Sequence, residues 1–372
     1  MAGIKNAAVI GTGLIGGSLG LALKQMANLE RVTGCARSPE TLAAAVEMGA
    51  IDEGFRDSAS AAEGADIVFI CTPISSIVAE SARAIPAMSS GAILTDVGSV
   101  KRAIVDKLDQ AAAGSDVNYV GGHPMSGSEQ SGVDAARADL FVNAPYILTP
   151  TEQTDPSALS DLHELLGKIG ARIFTLNPDA HDRVIAAISH LPHVLSASLV
   201  NVAAAERSEF ANIFKLAAGG FYDMTRIAAG APALWVDICL ENRGAVNELI
   251  SQYKDELETF SELLREGDAD GVRLKLENAR AVRQDLPRLK TEEMPEVFEL
   301  TVLVPNRPKV LSEITLCVAD LGVNIEDIQI VHSTEADGGF LKLAILGSKE
   351  ATRVAEAVIA KGYVVTTERR LA

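Results

Sequence analysis

Two short loops hold side chains suited to acid–base chemistry. Ser99 lies in the run 95–101, TDVGSVK, and His123 lies in the run 121–132, GGHPMSGSEQSG. A neutral imidazole accepts a proton or a hydrogen bond near pH 7 and so suits general acid–base catalysis. A lone histidine is usually structural, but a glycine-rich loop after a predicted strand favours a catalytic role for His123. Ser99 alone also fits the N-cap of a helix that begins at Val100, and the two roles are compatible.

A third polar stretch lies further along the chain, in a region of helical periodicity. His190 and His193 are three residues apart on one helix face, and Pro192 between them is expected to kink the helix. A histidine pair also suits a metal ion, but no third ligand with suitable spacing accompanies it, so we expect no metal. Arg226 carries a planar guanidinium that binds a carboxylate bidentately, although a helix-surface pair with Asp223 is the simpler alternative.

A glycine loop near the start of the chain has the pattern of a dinucleotide site. Gly11-Thr-Gly13-Leu-Ile-Gly16 directly follows the apolar run 7–10 and opens a predicted helix. Gly11 allows a tight turn, Gly13 lets the backbone approach a pyrophosphate, and Gly16 lets the helix pack closely on the strand. The helix N-terminus then supplies free N–H groups for the phosphates. The alternative is a glycine-rich turn without a ligand, but strand, spacing and helix together favour a nicotinamide dinucleotide.

The second predicted strand decides between NAD and NADP. An NAD site usually has an acidic residue after this strand, which binds the ribose hydroxyl groups. Here the strand at 32–35 runs into Ala36, Arg37 and Ser38, with no acid. Arg37 and Ser38 suit a 2′-phosphate, so NADP is preferred, and NAD is the alternative if Arg37 is a solvated surface residue. The predicted cofactor-binding residues are Gly11, Gly13, Leu14, Ile15, Gly16, Arg37, Ser38, Thr72 and Pro73.

Three segments of different character position these loops. Residues 1–176 alternate strands and helices and predict a Rossmann domain, with a doubly wound parallel sheet whose strand ends bring Ser99 and His123 beside the nicotinamide. Residues 177–291 predict an all-α domain, and residues 295–372 predict a ferredoxin-like βαββαβ module after a short polar linker. The strands predicted in the first segment are 7–10, 32–35, 67–71, 93–96, 118–121, 144–148 and 172–176.

Composition narrows the class of partner. A net charge of −17 argues against a nucleic-acid or anionic membrane partner, because phosphate contacts need clustered Lys and Arg. The four cysteines show no CxxC spacing, which is typical of a reduced, cytoplasmic protein. The uncharged run 6–23 superficially resembles a signal peptide, but its five glycines are better explained by the start of a Rossmann domain.

These motifs together resemble the prephenate/arogenate dehydrogenase family of tyrosine biosynthesis. The glycine loop, DxGSVK, GGHPMxGxE, HLPH and the RxxxxxPxxW run that starts at Arg226 carry the resemblance over about residues 5–290. The C-terminal module resembles an ACT domain, which many members of that family carry as a regulatory appendage. Its loop 304–309, VPNRPK, matches the usual pattern except at Lys309, where glycine is common.

The resemblance implies an activity and a site. The activity is oxidative decarboxylation of prephenate to 4-hydroxyphenylpyruvate with hydride transfer to NAD(P), or of arogenate to tyrosine. His123 would accept the substrate hydroxyl proton and Ser99 would hydrogen-bond both partners, with support from Asp96 or Lys101. Arg226 would bind the ring carboxylate, and His193 the pyruvyl end. The implied substrate-binding residues are Arg226, His193, His190, Glu129, Ser128, Gly219 and Trp235.

Other implied features concern the pocket entrance, the partner chain and regulation. Glu129 would line the entrance, as a gate or an ion-pair partner of Arg226. Gly219 and Trp235 correspond to positions that reach the active site across a homodimer interface, with core packing as the alternative for Trp235. The ACT resemblance suggests a tyrosine effector, which Lys309 puts in doubt. The implied regulatory residues are Asn306, Arg307 and Pro308.

Two other classes of protein compete with this interpretation. A β-hydroxyacid-type dehydrogenase shares the glycine loop and a helical domain, but it does not explain GGHPM or HLPH. A ligand-sensing regulator without turnover would have no use for a hydroxyl base. The sequence leaves open prephenate or arogenate, NAD or NADP, and the identity of the effector.

Overall fold

The computed structural model describes residues 4–26, 29–127, 132–210, 212–291, 297–305, 307–325, 327–332 and 338–369. The chain divides into two compact units, and the division along the chain falls between Glu258 and Thr259. Each unit has its own sheet, and every residue of the candidate active site belongs to the first unit.

An eight-stranded sheet forms the frame of the first unit. Its order is β3-β2-β1-β4-β5-β6-β7-β8, and the central strands are apolar and buried because helices cover both faces of the sheet. The strands are β1 Asn6–Ile10, β2 Arg31–Cys35, β3 Glu53–Phe55, β4 Ile67–Ile70, β5 Ile93–Asp96, β6 Asn118–Pro124, β7 Pro145–Thr149 and β8 Arg172–Thr175. The helices between them are α1 Leu14–Lys24, α2 Pro39–Glu47, α3 Ser58–Ala62, α4 Ile74–Ala84, α5 Arg102–Ala112 and α6 Pro156–Lys168.

This architecture confirms the Rossmann-type domain, with two differences. The sequence pattern does not predict β3, a three-residue strand beside β2. The all-parallel expectation is wrong at β7, which pairs antiparallel with β6. Parallel neighbours need a long crossover, whereas the described residues between β6 and β7 contain only the short turn Val133–Ala135.

A helical segment follows the sheet. It consists of α7 Pro178–Ile185, a π-helical turn Ala186–His190, α8 Leu191–Ala205, α9 Gly219–Thr225, α10 Pro232–Glu241, α11 Arg243–Glu266 and α12 Ala269–Thr291. No strand occurs among its described residues, as the sequence predicts. The π-helical turn lies directly before the first turn of α8, which contains the helix-breaking Pro192.

The run Pro178–Ser208 is long and apolar enough to cross a membrane by length and composition alone. Core helices of globular proteins meet the same criteria, and this run carries buried polar residues of the site described below.

The second unit contains an antiparallel sheet with two helices packed against it. The order β10-β11-β9-β12 and the succession βαββαβ confirm the predicted ferredoxin-like arrangement. Its core comprises Leu300 and Leu343 from the sheet and Ile314 and Val354 from the helices. The elements are β9 Val297–Pro305, α13 Val310–Asp320, β10 Asp327–His332, β11 Gly338–Leu346, α14 Ser348–Ala360 and β12 Val364–Arg369.

Candidate active site

The loops with Ser99 and His123 lie at the same edge of the sheet. Strands β5 and β6 are parallel neighbours, so their carboxyl ends meet where a ligand binds in open α/β sheets. Ser99 follows β5 and is half-buried, and His123 lies at the end of β6 and is buried. The sequence-based pairing of these two loops therefore has a structural basis.

Ser99 does not cap a helix. The expectation of a helix that begins at Val100 is wrong, because α5 begins at Arg102. The first N–H groups of this helix are bound instead by the Asp182 carboxylate, which accepts from the backbone N–H of Lys101 at 2.7 Å and of Arg102 at 2.9 Å. Ser99 is thereby released from capping and remains available for the site.

A fully buried ion pair ties the two strand ends together. Lys101 donates to the Asp96 carboxylate, and its ammonium also donates to the carbonyl oxygen of Gly122 at 2.7 Å. Tyr119 donates its hydroxyl hydrogen to the same carboxylate at 2.8 Å. Because Asp96 ends β5 while Tyr119 and Gly122 belong to β6, the pair holds the Ser99 loop against the His123 loop.

His123 contacts a second histidine that the sequence interpretation does not single out. The Nδ1 of His123 lies 2.8 Å from the Nε2 of His181, and the Nδ1 of His181 lies 2.8 Å from the Oδ1 of Asp182. Burial, followed by the nearby His181 and Lys101, holds the pKa of His123 well below its usual value. The imidazole is therefore neutral at pH 7 and able to accept a proton.

His190 and His193 occupy one side of the same helical run. His190 is buried, and its Nδ1 accepts from the side-chain amide of Asn242 at 3.1 Å. That amide also donates to the backbone carbonyl of Asp182 at 2.8 Å. Burial lowers the pKa of His190 to about 4, so it too is neutral at pH 7. Among the described residues, no group of three side chains is placed to hold a metal ion.

Trp235 contacts His193 within one chain. The two rings are stacked with centroids 3.3 Å apart, and the ring of His190 meets the indole edge-on at 6.2 Å. A Cβ atom at Gly230 would lie 2.8 Å from the indole nitrogen, so the absence of a side chain there makes room for the stack. Trp235 also packs against the apolar core on one face of the sheet, as the core-packing alternative requires.

The remaining substrate residues are placed in part. Gly219 begins α9, and Arg226 begins the short turn Arg226–Ala229 directly after it. Both α9 and this turn pack against α8, the helix that carries His193. Ser128 and Glu129 lie outside the described residues.

The glycine loop has the shape that a dinucleotide requires. Gly11 has a φ of +102°, and a Cβ atom there would lie 2.6 Å from the carbonyl oxygen of Cys71. A Cβ atom at Gly13 would meet open space, and no side chain caps the N-terminus of α1, which starts with Leu14 and Ile15. The buried hydroxyls of Thr12 and Thr72 have no hydrogen-bond partner among the described residues. These free N–H and hydroxyl groups suit a pyrophosphate.

The strand ends beside this loop carry two arginines. Ser38 caps α2, since its hydroxyl oxygen accepts from the N–H of Thr41 at 3.3 Å, and it donates to Glu40. Arg37 is exposed, and its carbonyl oxygen accepts from the guanidinium of Arg56 at 3.3 Å. Arg56 directly follows β3. The sequence does not predict its place beside Arg37, because β3 has too few residues to be recognised as a strand.

The fold and the glycine loop define the class of protein. The chain is a nicotinamide-dependent oxidoreductase with a dinucleotide-binding domain and a helical second domain. Residues 19–175 match the nucleotide-binding domain of prephenate dehydrogenase, and residues 177–278 match its dimerization domain. The chain belongs to the prephenate dehydrogenase family.

Relatives and solved structures support this assignment. The chain is 35% identical over 357 residues to the prephenate dehydrogenase of Bacillus subtilis, covering 96% of both chains. It is similar to the arogenate dehydrogenase of Synechocystis, with a TM-score of 0.68, 35% identity and coverage of 76% of this chain and 99% of that one. A structure of prephenate dehydrogenase from A. aeolicus with hydroxyphenyl propionate and NAD+ has a TM-score of 0.72, 31% identity and coverage of 76% and 98%.

Proposed function

We propose that the chain catalyses the oxidative decarboxylation of prephenate to 4-hydroxyphenylpyruvate. The observation that carries this proposal is the buried His123, which lies with the Ser99 loop at the ends of adjoining strands, on the edge of the sheet where the glycine loop follows β1. Prephenate has a ring hydroxyl, a ring carboxylate and a pyruvyl side chain. A base for the hydroxyl proton and separate contacts for two carboxylates are what this substrate needs.

The reaction assigns a role to each residue. A nicotinamide held at the glycine loop would supply the acceptor for the hydride from the hydroxyl-bearing carbon. His123 accepts the hydroxyl proton, and Ser99 hydrogen-bonds the same oxygen and orients it. The electrons of the bond to the ring carboxylate pass through the ring to that oxygen, so the ring becomes aromatic as CO2 leaves, and His123 returns the proton to give the product hydroxyl. Arg226 binds that carboxylate before it leaves, and His193 contacts the pyruvyl end.

Other residues complete the proposed pocket. The stack of His193 and Trp235 fixes the imidazole that contacts the pyruvyl group. Glu129 serves as a gate or as the ion-pair partner of Arg226. The further pocket residues are His190, Ser128 and Gly219.

NADP is the proposed cofactor. After β2 the chain has Arg37 and Ser38 where an NAD site has an acid, and Arg56 adds a second guanidinium at the same corner of the sheet. Glu40 is nearby, but it accepts from Ser38 at the start of α2. NAD is the alternative, because the similar A. aeolicus structure contains NAD+.

The second unit is proposed to be an ACT regulatory domain with tyrosine as its effector. Lys309 has a φ of +76°, so it adopts the left-handed conformation for which glycine is common at this position. Arg307 forms two hydrogen bonds with Glu313, at 3.1 and 2.8 Å, and Tyr363 donates to that carboxylate at 2.6 Å. These contacts order the loop around Arg307 and Pro308. Asn306 lies outside the described residues.

A thermal-shift titration with tyrosine, phenylalanine and tryptophan tests the effector proposal. Tyrosine is expected to raise the melting temperature, and no response to any of the three contradicts an amino-acid site. A cytoplasmic homodimer formed through the helical segment is also proposed, on the matched dimerization domain and the cysteine pattern.

Absorbance at 340 nm with prephenate or arogenate and NADP or NAD tests the activity. Reduced cofactor is expected with prephenate, and faster with NADP than with NAD at equal concentration. Arogenate is the second candidate substrate, favoured by the similarity to the Synechocystis enzyme. The proposed function is contradicted if none of the four combinations of substrate and cofactor yields reduced cofactor.

A further inference from the structure

We propose that His181, anchored by Asp182, is a positioning residue that holds His123 in the tautomer with a free Nε2 lone pair. That lone pair is the atom that accepts the hydroxyl hydrogen in the proposed reaction. The inference rests on the proposed function for the substrate, but the tautomer itself follows from contacts within the chain.

The donor and acceptor of each hydrogen bond follow from the Asp182 carboxylate. Its two oxygens accept the N–H groups of Lys101 and Arg102. Burial alone would raise the pKa of Asp182, but these bonds and the one from His181 hold it below its ordinary value. An ionised carboxylate only accepts, so the Nδ1 of His181, 2.8 Å away, is the donor.

The same reasoning continues to His123. Burial lowers the pKa of His181 despite the neighbouring Asp182, so the ring is neutral and its Nε2 is an acceptor. This Nε2 lies 2.8 Å from the Nδ1 of His123, which must therefore donate. A neutral imidazole carries one hydrogen, and the Nε2 of His123 is left without one. In the opposite arrangement the hydrogen of His181 would be on Nε2, and its Nδ1 lone pair would face the Asp182 carboxylate with no hydrogen between them.

The surrounding charges favour neutral rings. His181 is completely buried, with the Lys101 ammonium and the Asp96 and Asp182 carboxylates as the charged groups that act on it. For His123, burial, His181, Lys101 and His190 all lower the pKa. Neither ring therefore gains a second hydrogen at pH 7, and the order of donors and acceptors is preserved.

Asp182 also connects the base to the other catalytic loop. Its bonds to the N–H groups of Lys101 and Arg102 fix the start of α5, three residues after Ser99. A carboxylate at this place is further stabilised by the helix dipole. The Asp182 carboxylate thus positions Ser99 through the backbone at the start of α5, and it positions His123 through His181.

The experiment combines NMR of the histidine rings with kinetics. The chain has six histidines, so nitrogen-15 spectra of single variants assign the His123 signals. In the wild-type protein at pH 7, the Nδ1-protonated tautomer of His123 is expected. The H181L variant removes the acceptor, so both tautomers are expected, with kcat reduced about 100-fold and KM changed less than about threefold.

Rescue separates positioning from mere packing. In H181Q a carbonyl oxygen can occupy the place of Nε2, so the Nδ1-protonated tautomer and most of kcat are expected to return. H163Q is the matched control, because His163 is exposed on α6, and it should behave as the wild type.

Three results would overturn the inference. They are an Nε2-protonated His123 in the wild-type protein, an unchanged tautomer and kcat in H181L, or an H181Q variant as slow as H181L. The wild-type spectrum needs no substitution and so remains informative if a variant does not fold. Absence of turnover with prephenate in the wild type would instead contradict the proposed function, and it would leave the tautomer measurement intact.

Discussion

Lys101 and its partner Asp96 are both completely buried. Removing the ammonium in K101M would leave the carboxylate in the interior with only neutral donors. We expect the free energy of unfolding to fall by about 3–5 kcal/mol, the usual cost of breaking one side of a buried pair. Urea denaturation followed by circular dichroism measures this change.

The matched control for this substitution is K107M. Lys107 lies on the same helix, α5, but is exposed, so its loss should change the free energy of unfolding by less than about 0.5 kcal/mol. Equal stability of K101M and K107M would show that the pair does not support the strand ends.

At the scale of elements, the ends of β2 and β3 determine cofactor choice. In R56A one of two guanidiniums next to the proposed 2′-phosphate position is lost. We expect the Kd of NADP to rise about tenfold, as for loss of one charge-assisted hydrogen bond, while the Kd of NAD stays unchanged. Isothermal titration calorimetry without substrate measures both values.

Arg31 provides the control for Arg56. It lies at the opposite end of β2, paired with Glu53, so R31A should leave both dissociation constants unchanged. A parallel loss of NAD and NADP affinity in R56A would mean that Arg56 supports the fold of this corner rather than the 2′-phosphate.

Which elements the sequence predicts depends on the length and pattern of each run. Residues 7–10 of β1 and all of β4 are buried, uninterrupted apolar runs, and the glycine spacing marks the start of α1. The strand β3 has three residues, too few for a recognisable pattern. The direction of β7 depends on a connection without a crossover helix, which apolar periodicity does not specify.

The site is predictable where its residues lie on motifs. Ser99 and His123 follow strands, and strand order alone brings them together. His181 is 58 residues from His123, and their contact depends on how α7 packs against α5 and β7. An adjacent His-Asp pair at the start of a helical segment is the only local signal, and many surface helices share it.

At the scale of the whole molecule, the main feature is an apolar surface on the helical segment. Large side chains there are exposed in the single chain, including Ile188 at 64%, Val202 at 65% and Met224 at 67%. A surface of this kind usually marks an interface, and the segment matches a dimerization domain. The exposed face of the run Pro178–Ser208 is therefore expected to be covered by a second copy of the chain.

A charge in that surface tests the expected dimer. The wild type should sediment at twice the chain mass of 39.1 kDa, and V202E should sediment as a monomer, because dimerisation would bury an unpaired carboxylate. Val202 is exposed, so the circular dichroism spectrum of the variant should not change. In the control V46E the substituted residue lies on α2, outside the helical segment, and the dimer should persist. A wild-type monomer would contradict the expected dimer, and a V202E protein that stays dimeric would place the interface elsewhere.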